Sequence, residues 1–186
     1  MHLILASASP RRKELLQKLG IPFEVIVSDC DEILPPDTPA DRAAELLARR
    51  KAEAVAAAHP EAVVIGADTT VVLGNEILGK PRGRADCVRM LTALSGQTHR
   101  VITGAAFVAN GKTRSFSEVT QVKFFDLTQD EIAAYADSDE PYDKAGGYGI
   151  QGQGALLVEA ISGDYSNVVG LPVARLNRLM RTFGLL

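Results

Sequence analysis

The chain has 186 residues, 46% hydrophobic and 23% charged, enough for one domain with a full core or for one domain with two lobes. A net charge of −3 gives no global basic field of the kind that advertises nucleic-acid or membrane binding, so any anion site has to be local. Two cysteines far apart, Cys30 and Cys87, argue against a disulfide framework or a thiolate zinc site and fit a reducing compartment.

The apolar run "LILA" reads as a strand over 3–6. The apolar stretch 3–8 is too short for a signal-peptide core, and no basic region precedes it. In "ASASPRRKELL", Ser9 is a good N-cap and Pro10 suits the first helical position, which predicts a helix over 10–19 closed by Gly20. Its first turn carries Arg11, Arg12 and Lys13, although the N-terminal end of a helix favours anions. Amide groups, a serine hydroxyl and guanidinium forks converging on one point describe a phosphate site, while a solvated basic turn has the same composition.

Alternation over 23–27 predicts a second strand. "SDCDEILPPDTP" is an acidic, proline-rich loop, and Thr38 as N-cap with Pro39 after it predicts a long helix to His59. "AVVIGADTTVVL" reads as a buried strand that runs on into a second extended piece. Asp68 interrupts it, so even this most apolar segment falls short of a membrane span, and a cytoplasmic protein without membrane contact is expected. Gly74-Asn75 is a hairpin turn before "EILGKP", and a helix follows over 84–94. Two long strands, 99–109 and 113–125, are joined by Asn110-Gly111. Thr128 caps a helix to Ala136, a glycine-rich loop over 140–154 leads to a strand over 155–161, and Pro172 begins the last helix. Strand–helix alternation followed by a hairpin predicts an α/β fold with a mixed sheet, in one domain over 1–186.

Several familiar catalytic patterns are missing: no Walker-type phosphate loop, no Gly-x-Ser-x-Gly and no His-Glu-x-x-His. His2, His59 and His99 are scattered, so carboxylates and lysines have to carry any acid–base work. Gly147-Tyr148-Gly149-Ile150-Gln151-Gly152 meets the dinucleotide pattern but is followed by a strand instead of a helix, so it reads better as a loop that lets backbone approach a ligand. Asp68 is the most informative carboxylate. In a buried strand it needs a cation, a metal or donors beside it, with Thr69 and Thr70 supplying hydroxyls. Taken singly, Glu32, Lys51 and Lys80 read as solvated charges.

"LILASASPRRKELL", the acid in "DCDEI", "ARRKAEAV", "VIGADTTVV", "LGKPRG", "LSGQTHRVITG", "EPYDKAGGYGIQGQG" and "VVGLP" together resemble the Maf proteins, nucleoside triphosphate pyrophosphatases, in order and spacing over residues 3–172. The resemblance implies an elongated mixed sheet flanked by helices around a deep nucleotide-binding cleft, often in a homodimer. It also implies cleavage of a nucleoside triphosphate to monophosphate and pyrophosphate with a divalent cation, Mg²⁺ or Mn²⁺. The family's catalytic carboxylate falls on Asp68, and its phosphate and metal positions fall on Ser7, Arg12, Glu32, Lys51 and Lys80, with Glu32 and Asp68 facing the metal. Arg11, Thr69 and Gln151 look like the branch acting on dTTP and UTP, extending to modified pyrimidine triphosphates in a house-cleaning or division-linked role. A 7-methyl-GTP or damaged-purine enzyme, and a non-enzymatic regulator of septum formation, are the alternatives.

Overall fold

The triplet Leu3–Leu5 (β1) is completely buried, as an apolar strand flanked on both edges should be. It pairs in parallel with Glu24–Val25 (β2) on one side and with Val63–Leu73 (β3) on the other. This computed structural model describes residues 2–186. Glu76–Leu78 (β4) folds back antiparallel on β3 through Gly74, at φ +59. Thr98–Ala109 (β5) and Lys112–Phe124 (β6) meet at Asn110-Gly111, whose φ values of +49 and +70 suit the primed turn of a tight hairpin. Val158–Ser162 (β7) runs antiparallel to β6. The seven strands form one mixed sheet in the order β2-β1-β3-β5-β6-β7, with β4 alongside β3.

Among the described residues six α-helices follow from local signals or from packing. They are Pro10–Gln17 (α1), Ala40–Ala58 (α2), Arg84–Leu94 (α3), Gln129–Ala136 (α4), Tyr165–Val169 (α5) and Val173–Thr182 (α6). The Ser9 hydroxyl caps α1 by accepting from the Arg12 amide at 3.4 Å, and Thr128 with Glu131 forms a reciprocal capping box on α4. Each cap satisfies amides that a helix start leaves orphaned.

The chain divides into two compact units. One takes in the chain up to Thr69, Thr103–Glu118 and Gly170–Leu186, and its core includes Ile4, Ala48, Ala52, Val55, Val64 and Ala106. The other takes in Thr70–Ile102 and Val119–Val169, with Leu78, Leu91, Leu94, Val122, Phe124 and Ile132 in its core. β3, β5 and β6 each begin in one unit and end in the other.

Four local expectations change. β2 is two residues long and exposed, shorter than the alternation over 23–27 suggests. Pro39, not Thr38, is the N-cap of α2, because the Thr38 hydroxyl donates to the Pro35 carbonyl at 2.7 Å and closes the preceding turn instead. Residues Gln153–Leu157 form a 3-10 turn, so β7 starts at Val158 and not at 155: the Ala155 amide donates to the Gly152 carbonyl at 3.1 Å inside a turn whose Gln153 and Gly154 amides are bonded to the Glu140 carboxylate. Finally, α5 starts where Asp164 accepts from the Ser166 amide at 2.7 Å, a short cap that hydrophobic periodicity does not register.

Candidate active site

Helix α2 lies on a bed of two glycines. A Cβ on Gly66 would stand 2.3 Å from the Ala48 carbonyl oxygen, and one on Gly104 would stand 2.3 Å from Ala44 backbone. With both side chains absent, the buried face of α2, Ala44, Ala48, Ala52 and Val55, closes directly on β3 and β5. Lys51 belongs to that face. It is 8% exposed, and its ammonium donates to Asp68 Oδ1 at 2.6 Å and pairs with Glu32 Oε1 at 2.8 Å. The buried Lys51 side chain delivers its charge to Asp68, where the buried run 63–67 of β3 ends. Burial works against the ammonium, but Asp68 and then Glu32 outweigh it, and the Lys51 pKa is raised. The side chain of Asp68 is only 15% exposed, whereas that of Glu32 is 65% exposed, so the pair is dry on one side and wet on the other.

A second group gathers one residue further along β3. Arg12 Nη2 donates to Thr69 Oγ1 at 3.2 Å, Nη1 to Ser7 Oγ at 3.2 Å, and Nε to the Gly170 carbonyl at 2.9 Å. Thr69 Oγ1 in turn lies 2.9 Å from Thr103 Oγ1, a fully buried hydroxyl on β5. Burial lowers the Arg12 pKa, with Asp68 the main opposing charge and Arg11 reinforcing the decrease. The basic turn that looked misplaced at a helix mouth is therefore organised: one of its arginines is bonded to two hydroxyls and a carbonyl.

Seven expected residues thus lie in one unit: Ser7, Arg11, Arg12, Glu32, Lys51, Asp68 and Thr69. Bonds tie Glu32, Lys51 and Asp68 into one group and Ser7, Arg12 and Thr69 into another, and the Asp68–Thr69 peptide joins the two. Lys80 and Gln151 belong to the other unit, both exposed. Their segments meet there, since the Gly146 amide donates to the Gly79 carbonyl at 3.0 Å and a Cβ on Gly147 would stand 3.0 Å from the Pro81 ring.

Lys51 departs from the expectation of a solvated charge. The signal was present, because positions 44, 48, 51, 52 and 55 fall on one helical stripe in which a lone lysine stands among apolar residues. Thr103 and Gly170 are additions that the sequence reading missed. Thr103 is a hydroxyl inside an apolar strand, and Gly170, at φ +128, holds a backbone shape that other residues resist while it aims its carbonyl at Arg12.

The two carboxylates that converge on the Lys51 ammonium are hard oxygen donors, and among the described residues no group of three or more His, Cys, Asp and Glu gathers to hold a metal. That donor set suits Mg²⁺ or Mn²⁺ shared with a substrate's phosphates, since Mg²⁺ is commonly held by one or two carboxylates with the remainder of its shell from phosphate and water.

A family model described as Maf-like protein matches residues 2–183. The chain is 50% identical to a dTTP/UTP pyrophosphatase of Bacillus anthracis (strain CDC 684 / NRRL 3495), over 98% of this chain and 96% of that relative. The same identity and coverage relate it to a dTTP/UTP pyrophosphatase of Bacillus cereus (strain AH820). Among solved structures it is similar to a HAM1 protein from Coxiella burnetii, with a TM-score of 0.53 at 14% identity over 98% of this chain and 99% of that one, which is a likeness of fold.

Proposed function

The chain belongs to the Maf-like protein family, and from that premise we propose that it is a nucleoside triphosphate pyrophosphatase that hydrolyses dTTP and UTP to the monophosphate and pyrophosphate. The observation that carries the chemistry is the Glu32–Lys51–Asp68 group, a cation lodged between two carboxylates at the end of a buried strand segment. Full-length likeness to dTTP/UTP enzymes supports the choice of base.

In this reading Asp68 is the catalytic carboxylate. Lys51 holds one of its oxygens, and the oxygen not bonded to Lys51 takes the proton of the attacking water. Glu32 and Asp68 hold the divalent ion, which when bound supplies positive charge to the phosphate oxygens and lowers the pKa of water. Arginine has five N–H donors, and three of those on Arg12 fix its plane against Ser7, Thr69 and Gly170, which leaves two for a phosphate oxygen. Arg11 and Lys80 add charge for a polyanion that a protein of net charge −3 would otherwise repel. Gln151 reads the base: its amide offers one acceptor and donors that complement the ring N–H and carbonyls of uracil and thymine.

Pyrophosphate release from UTP, dTTP, CTP, ITP and 7-methyl-GTP tests the assignment, with UTP and dTTP expected as the best substrates. Asp68→Asn should stay folded and lose roughly two orders of magnitude or more in turnover, the scale of lost acid–base or metal help. Near-wild-type turnover in Asp68→Asn, or a preference for purine triphosphates, would refute the reading.

A further inference from the structure

Gln151 sits in the middle of a glycine-rich segment whose two flanks are fastened to the same pair of side chains. On the far side, Glu140 Oε2 accepts from the Gln153 amide at 2.7 Å and Oε1 from the Gly154 amide at 3.1 Å. On the near side, the Gly149 amide donates to the Tyr135 hydroxyl at 3.1 Å, and that hydroxyl donates to Glu140 Oε1 at 2.9 Å. Tyr135 is the second-last residue of α4 and is 4% exposed, so the fastening is anchored in core.

The glycines have the same explanation. A Cβ on Gly152 would stand 2.3 Å from Glu140 Oε2, and one on Gly154 would stand 2.5 Å from the Gly149 carbonyl and 2.8 Å from the Tyr135 hydroxyl. The segment is glycine-rich where it closes on the carboxylate and phenol, and Gln151 at its crest stays exposed. The two protonation states also fit the bonding. Burial opposes a charge on Glu140, but the Gly154 and Gln153 amides and the Tyr135 hydroxyl outweigh it and lower its pKa. Burial raises the Tyr135 pKa, so the phenol keeps the proton that it donates.

We propose that Glu140, with Tyr135, is a positioning residue that fixes the 149–154 segment from both flanks and thereby sets the Gln151 amide for base recognition. This inference builds on the assignment of Gln151 as the reader of the base. Glu140 acts through the backbone and touches neither the phosphates nor the reacting atoms.

The test is a double-mutant cycle on the full chain, with kcat and KM measured for UTP and CTP in wild type, Glu140→Gln, Tyr135→Phe, Gln151→Ala and the Glu140→Gln/Gln151→Ala pair. A glutamine at 140 keeps the shape but replaces one acceptor oxygen with a donor, so a bond to an amide is lost. Glu140→Gln should raise KM for UTP about tenfold with little change in kcat, and shrink the UTP-to-CTP ratio of kcat/KM, because misplacement of a recognition group costs at least that much. In the Gln151→Ala background it should shift that ratio no further. Amide exchange at 149, 153 and 154 should accelerate in Glu140→Gln and, at 149, in Tyr135→Phe. Unchanged exchange, an unchanged ratio, or a ratio change that persists without Gln151 overturns the proposal. If Gln151→Ala itself leaves UTP hydrolysis intact, the assignment of the base reader fails, and the positioning role fails with it.

Discussion

His99 shows how much a single side chain can carry outside the reacting groups. It is 1% exposed, its Nε2 lies 2.7 Å from the Tyr148 hydroxyl, and its ring meets those of Phe124 and Tyr148 edge-on. Burial pushes its pKa down from 6.5 to about 4. The folded chain therefore refuses a proton that the unfolded chain accepts between those values, and stability present above the unfolded pKa is lost as pH falls toward the folded one. The loss from this residue should reach about 2 kcal/mol at pH 5 and about 3 kcal/mol at pH 4. Urea unfolding at pH 7, 5 and 4 in wild type and His99→Gln checks this: the variant should show a shallower fall by those amounts, and parallel curves would refute it. The sequence marked His99 only as one of three scattered histidines. Nothing local announces that residue 148 will supply its partner across 49 positions of chain.

At the scale of elements, what was legible is what local chemistry decides. The bounds of α3 follow from apolar spacing and those of α4 from its Thr128 cap, and the β5–β6 hairpin follows from Asn110-Gly111. What was not legible is decided at a distance. Residues 155–157 look like strand but continue a turn that a carboxylate at 140 fastens at Gln153 and Gly154, and Lys51 looks solvated until two glycines on separate strands bring α2 down to the sheet. Those glycines are not equivalent to others in the chain. Gly20 has open space around it, so Gly20→Ala should cost about 1 kcal/mol for its left-handed φ of +69 alone. Gly66→Ala meets backbone that can yield only if the helix moves, and about 3 kcal/mol is expected, or about 6–12 °C in Tm. Because α2 carries Lys51, Gly66→Ala should also depress turnover at temperatures where the protein is still folded. Calorimetry beside an assay at 20 °C below the midpoint separates the two effects, and a Tm within 2 °C of wild type would show that the bed is looser than its geometry.

For the molecule as a whole, the distribution of charge matters more than its sum. A slightly acidic chain has gathered cations at Arg11, Arg12 and Lys51, and Arg12 and Lys51 are bonded to named partners before any ligand arrives. With Lys51 already between the carboxylates, folding does not depend on an added ion to relieve their repulsion. Chelation should therefore abolish pyrophosphate release, which Mg²⁺ or Mn²⁺ restores, while moving Tm by less than about 2 °C, as expected for an ion held weakly without substrate. A Tm that falls by 10 °C with chelator would instead mark the ion as structural. No helix among the described residues is long and apolar enough to cross a membrane.

The junction of Asp68 and Thr69 has a consequence of its own. Side chains alternate across a strand, so Gly66 and Asp68 turn toward α2 while Thr69 turns to Arg12 and Thr103. Two tasks of opposite character are written into neighbouring letters, and the pairing of Leu5 with Ile65 fixes the frame in which they are read. Deleting one residue between Ile65 and Asp68 would set the Thr69 hydroxyl where the carboxylate faces the lysine and turn Asp68 to the opposite face of the strand, whereas a conservative substitution at either letter leaves the other in phase. A substitution in this strand is thus a local event, and a frameshift in it is not.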